Sequence, residues 1–81
     1  MHVVVKLFAR AKDLAGADTV SVEVPDGASV RELRERLAAA YPALKGLLGR
    51  SALAVNDEFA GDATILSANA ELALLPPVSG G

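Results

Sequence analysis

Residues 2–8 alternate along the chain. Val3, Val5 and Leu7 fall on one side of an extended backbone, and Val4, Lys6 and Phe8 on the other. A period of two with β-branched residues predicts a strand. Residues 9–15 read as a short helical turn, which Gly16 ends. Residues 19–24 alternate again: Val20, Val22 and Val24 share one face, and Thr19, Ser21 and Glu23 form a wet one. The two strands are close in sequence, so an antiparallel pair is expected. Pro25-Asp26-Gly27 then turns the chain.

The clearest element follows. Ser29-Val30-Arg31-Glu32 is a capping box, in which the Ser29 hydroxyl accepts from the Glu32 backbone amide and the Glu32 side chain can reach back. Val30, Leu33, Leu37 and Ala40 recur at helical spacing, with Arg31, Glu32, Glu35 and Arg36 on the other side. This predicts an amphipathic helix that Tyr41-Pro42 terminates. Residues 43–49 are apolar with two glycines, a short helical or irregular piece. Residues 51–55 predict a third strand, Asn56-Asp57 a turn, residues 64–66 a short edge strand, and residues 67–70 a turn. Residues 71–75 predict the last strand, whose pairing Pro76 stops.

One main helix against a mixed sheet of four to five strands predicts a two-layer α+β domain. The order strand–strand–helix–strand–strand is similar to that of the β-grasp, or ubiquitin-like, fold, whose first and last strands lie parallel in mid-sheet. In that arrangement Leu72 and Leu74 face the helix with Val3, Val5 and Leu7. Ala73 and Leu75 then face outward beside Val4 and Phe8. Phe8 has two outcomes: it joins an exposed apolar docking patch with Leu75, or it turns inward or is covered by the 9–15 turn. The expected organisation is a domain over residues 1–76 and a flexible tail over residues 77–81.

At 81 residues the chain is one small domain. A chain of this size buries roughly 60–65% of its unfolded surface, and the 52% apolar content supplies the filling. No apolar run approaches the ~20 residues that span a bilayer, and the amino-terminal stretch lacks the basic region of a signal peptide. A cytoplasmic protein without membrane association is expected. The net charge of −2 is too small to argue for a nucleic-acid partner, and none is expected. All eight Lys and Arg lie at or before Arg50, whereas Asp57, Glu58, Asp62 and Glu71 carry the charge beyond it. Those acids either solvate turns or form an edge that docks on a basic surface.

The chain offers no internal catalytic set. There is no cysteine, which removes disulfides, thiolate metal sites and thiol nucleophiles. The single histidine, His2, has no partner in sequence for acid–base work, and no His/Cys metal cluster can be assembled. Gly46 and Gly49 lack the residues of a phosphate loop. Ser79 has nothing nearby to activate it. The remaining reactive group is the carboxylate of Gly81, at the end of Pro76-Pro77-Val78-Ser79-Gly80-Gly81. Two glycines make that end narrow and conformationally permissive, and the two prolines restrict its base.

The stretch Leu7-Phe8-Ala9-Arg10, then Val30, Leu33-Arg34 and Leu37, Tyr41-Pro42 with Leu44, and Ala54-Val55-Asn56 with Glu58 resemble the small subunits of molybdopterin synthase (the MoaD family). The Leu74–Gly81 ending is the most specific part of the resemblance. One departure is the turn before the last strand, Ser67-Ala68-Asn69-Ala70-Glu71, where the family often has an Asp-Gly-Asp-Glu type.

The resemblance implies a sulfur carrier in a heterotetrameric synthase. Gly81 would be adenylated by a ubiquitin-activating-like enzyme of MoeB type, which consumes ATP. It would then become a thiocarboxylate and donate sulfur to cyclic pyranopterin monophosphate. The carrier itself would hold no cofactor or metal. Gly80 would fit a narrow channel in the large subunit (MoaE), with Pro76, Pro77, Val78 and Ser79 along the path. Phe8 and Leu75 would contact that subunit. Alternatives are a sulfur carrier for thiazole synthesis or tRNA thiolation, a ubiquitin-like protein modifier, and a binding module whose tail is incidental.

Overall fold

A computed structural model describes residues 1–75. The sheet contains β1 (His2–Leu7), β2 (Thr19–Glu23), β3 (Ala52–Val55), β4 (Glu58–Ala60) and β5 (Leu72–Leu75). Its strand order is β2-β1-β5-β3-β4. β1 and β5 run parallel in the middle, with Val5 opposite Leu72 and Leu7 opposite Leu74. The flanking pairs β1–β2, β3–β5 and β3–β4 are antiparallel. α1 (Ala9–Ala15) follows β1, and α2 (Val30–Ala40) crosses one face of the sheet before a 3₁₀ turn (Pro42–Leu44) and the short α3 (Lys45–Leu48). This is the expected β-grasp arrangement.

Alternation decides which residues fill the core. Val3, Val5 and Leu7 of β1 and Leu72 and Leu74 of β5 are buried together with Val20, Val22 and Leu53. They meet Val30, Leu33 and Leu37 of α2 and Leu44, Leu47 and Leu48 behind it. Ala40, expected on the apolar stripe, is exposed instead. The helix ends beside it, and the neighbouring Tyr41 packs against the core in its place. The Tyr41 hydroxyl also donates to the Ser21 carbonyl on edge strand β2 (3.1 Å), which occupies an acceptor on that open edge.

The cap of α2 forms as expected on one side only. Glu32 N donates to Ser29 Oγ (3.2 Å), but the Glu32 carboxylate lies toward Arg36, one turn on (3.9 Å). The helix's leading amides are satisfied from elsewhere. Val30 N donates to Thr64 O (2.9 Å) and Arg31 N to Asp62 O (3.0 Å). That corrects the expected edge strand at residues 64–66. The segment makes only an isolated bridge, Ser29 with Ile65, through Val30 N to Thr64 O and Leu66 N to Ala28 O (2.8 Å); the pairing goes no further because Val30 already begins α2.

The fourth strand lies earlier, at Glu58–Ala60. Asn56 and Asp57 both have positive φ, 51° and 67°, the signature of a two-residue reversal whose twist suits a hairpin. The chain therefore folds back at once, setting Glu58 against Val55 and Phe59 against Ala54. The Asn56 side chain accepts from Glu71 N (2.9 Å), and Asn56 N donates to Glu71 O (2.8 Å). The hairpin tip is thereby tied to the start of β5. The turn before β5 closes through Ala70 N to Ser67 O (3.2 Å).

Candidate docking face and tail origin

The helices cover one face of the sheet and leave the other open. On that open face a single row crosses all five strands: Thr19, Lys6, Ala73, Ala54 and Phe59. Small side chains at its centre make a floor. Ala54 is buried there without joining the main core. Larger apolar groups stand around it: Val4 is 51% exposed, Phe8 43% and Phe59 76%. A shallow groove of about 400 Å³ runs over the floor, lined among others by Val4, Lys6, Phe8, Ala54 and Ala73.

Phe8 thus takes the outward course. It stands at the N-cap of α1 in extended conformation (φ −133°, ψ 157°), while its carbonyl accepts from Ala11 N (3.1 Å). The next residue, Ala9, has φ of 50°, a left-handed conformation that costs a non-glycine residue about 1–2 kcal/mol. That bend lets Phe8 stay on the open face while Ala11 enters the core. Leu75 pairs with Ala52 and is half-buried. By alternation it lies on the open face, one position beyond the Leu7–Leu74 pair.

The expected interface residues Phe8 and Leu75 therefore share one face and one end of the two central strands. Leu75 is also the last described residue. Pro76, Pro77, Val78, Ser79, Gly80 and Gly81, the remaining expected site residues, lie outside the described residues.

Phe59 is the functional candidate that sequence reasoning missed. Its signal was present in the two-residue Asn56-Asp57 loop, which forces the following residues to pair. The acidic second half divides. Asp57 and Glu71 line the groove, but Asp62 is held by Arg34, whose Nε donates to its Oδ1 (3.0 Å). Arg34 also donates to the carbonyls of Leu48 and Ser51. This side chain joins α2 to the start of β3 and to the loop after β4, on the side away from the open face. Ser51 continues the network, donating its buried hydroxyl to Leu47 O (2.8 Å).

His2 is surface-exposed at the far end of β1, with Nδ1 3.1 Å from Glu23 Oε1. That hydrogen bond holds the Glu23 carboxyl below its ordinary value of 4.5. No cluster of three or more His, Cys, Asp or Glu able to hold a metal occurs among the described residues. No helix among them is long and apolar enough to cross a membrane.

Comparison with known proteins places this geometry. The molybdopterin synthase sulfur carrier subunit of Arabidopsis thaliana is 33% identical over 81 residues, covering 100% of this chain and 84% of that one. The crystal structure of small archaeal modifier protein 1 from Haloferax volcanii superposes with a TM-score of 0.84 at 35% identity, covering 95% of this chain and 98% of that one. A chain from the complex of subunits 1 and 2 of molybdopterin-converting factor from Helicobacter pylori superposes with a TM-score of 0.70 at 30% identity, with 100% of both chains covered. The ThiS family matches residues 5–81, from the middle of β1 to the final glycine, and the chain belongs to that family.

Proposed function

We propose that the chain is the sulfur-carrier small subunit of molybdopterin synthase, acting in the cytoplasm. The observation that carries this reading is likeness from end to end. The family match extends through residue 81, so it includes the tail as well as the domain. Carrier subunits from a plant, an alga and a slime mould align at 33–38% identity.

In this reading Gly81 is the working residue. A carboxylate is a poor electrophile, so its oxygen first attacks the α-phosphate of ATP on an activating enzyme of the ubiquitin-activating type, releasing pyrophosphate. Sulfide-level sulfur (HS⁻) then attacks the acyl carbon, AMP leaves with the C–O bond broken, the proton goes to solvent, and a thiocarboxylate remains. The absence of cysteine leaves no internal thiol to intercept the acyl-adenylate. Glycine at positions 80 and 81 lets the carbonyl be approached from either side, while Pro76 and Pro77 reduce the freedom lost when the tail enters its partner.

The partner is the large subunit, as in the Helicobacter pylori complex of subunits 1 and 2. It docks on the open sheet face through Phe8 and Leu75 and receives residues 76–81. Cyclic pyranopterin monophosphate accepts the sulfur there.

A second reading has its own support, since small archaeal modifier protein 1 of Haloferax volcanii is 38% identical over 84 residues. Both readings pass through the same acyl-adenylate and diverge at the acceptor. Intact mass after incubation with ATP, the activating enzyme and a sulfur donor separates them. The carrier reading expects replacement of one carboxyl oxygen by sulfur at Gly81. Thiol-resistant conjugates to lysines of other proteins, without sulfur gain, would replace it with the modifier reading.

A further inference from the structure

Among the described residues, the groove on the open face holds one cation, Lys6. Lys6 sits at the centre of β1, opposite Thr19 on one side and Ala73 on the other. Both neighbours are short, so neither strand shields the ammonium. Along the chain Lys6 stands between two exposed apolar groups, Val4 of β1 and Phe8 just beyond its end. The other described charged residues of the groove, Asp57 and Glu71, are acidic. Among the described residues Lys6 forms no ion pair with them or with any other group.

A lone cation in the middle of a docking face has a consequence. Covering the groove strips water from the ammonium, and an uncompensated buried charge opposes association more strongly than one apolar contact favours it. A partner that covers this face must therefore supply an anion opposite Lys6. We propose that the large subunit presents a carboxylate there, so that Lys6 is a specificity-determining residue of the complex. This rests on the docking reading above and adds the chemistry of the partner surface. The charge pair fixes register, because Asp57 and Glu71 at the same groove repel that carboxylate from neighbouring positions.

The test is the affinity of the full-length chain for the large subunit of the same organism's molybdopterin synthase. It compares the wild type with Lys6→Met, Lys6→Glu, Glu71→Gln and Phe8→Asp, after circular dichroism has matched their folds. Lys6→Glu should weaken binding by about 100-fold, and Lys6→Met by less. Added salt should weaken the wild-type complex more than the Lys6→Met complex. Equal or tighter binding by Lys6→Met, with unchanged salt dependence, would overturn the inference. So would a loss in Glu71→Gln matching that in Lys6→Met, because the counter-charge would then be internal. If Phe8→Asp binds like wild type, the docking reading itself fails and the inference falls with it. If Phe8→Asp abolishes binding while Lys6→Glu does not weaken it, the docking reading survives and only the inference is lost.

Discussion

Strand β1 presents two faces built from neighbouring residues. Val3, Val5 and Leu7 are almost fully buried, whereas Val4 and Phe8 between and beyond them are half-exposed. The buried side follows from folding alone: a small domain must fill its core, and any apolar set of the right volume serves. The open side has no such cause. Single exposed apolar residues are ordinary on protein surfaces. Val4 and Phe8 line one groove on the face the helices leave open, with exposed Phe59 on the same face at edge strand β4, and apolar groups gathered in this way mark interaction sites. The covered face explains why the chain folds. The open face, which carries Leu75 at the end of β5, is where the proposed function places the partner.

Paired substitutions sharpen that contrast. Leu33 is fully buried between α2 and the sheet. Leu33→Ala should destabilise the domain by about 2–5 kcal/mol in chemical denaturation. Phe59→Ser on the open face should change stability by no more than ~0.5 kcal/mol, yet weaken large-subunit binding by about tenfold. Equal stability losses at the two sites would erase the distinction between the faces.

How much of this was legible in the sequence depends on how far apart the deciding residues lie. The alternation of residues 2–8, the Ser29 cap and the buried members of α2 are local patterns, and they appear in the structure as expected. Residues 58–60 and 64–66 are both short stretches with some apolar character. Choosing between them required the twist of the Asn56-Asp57 turn and the need of α2 for carbonyl partners. The Arg34 network was invisible because its acceptors at Leu48, Ser51 and Asp62 come together only in the folded chain. Phe59 is placed on the open face only by the register of β4. Residues 76–81, the core of the functional reading, are legible in sequence and in family likeness alone.

The smallest expected effect lies at the rim, on a pair that neither face depends on. Lys12 Nζ donates to Asp18 Oδ1 at 2.8 Å. That hydrogen bond, reinforced by Asp18's charge, holds the Lys12 ammonium above its ordinary value of 10.5. A raised value in the folded state means that the contribution is complete below 10.5 and is lost as pH rises through the folded value. Asp18→Asn should therefore melt slightly below wild type at neutral pH, and the two melting curves should converge as the pH climbs beyond 10.5. A gap that persists at alkaline pH would assign the effect to something other than the ion pair. Both residues are solvent-exposed, so the difference should be small.

The most direct test of the open face as the docking face is an NMR titration of the labelled, full-length chain with the large subunit. It follows the rings of Phe8 and Phe59 and the methyl groups of Val4 and Leu75. These four residues are expected to shift or broaden together, while the exposed side of α2, including Arg31 and Glu35, stays unchanged. Perturbation of α2 with the four open-face residues silent would contradict the assignment of that face.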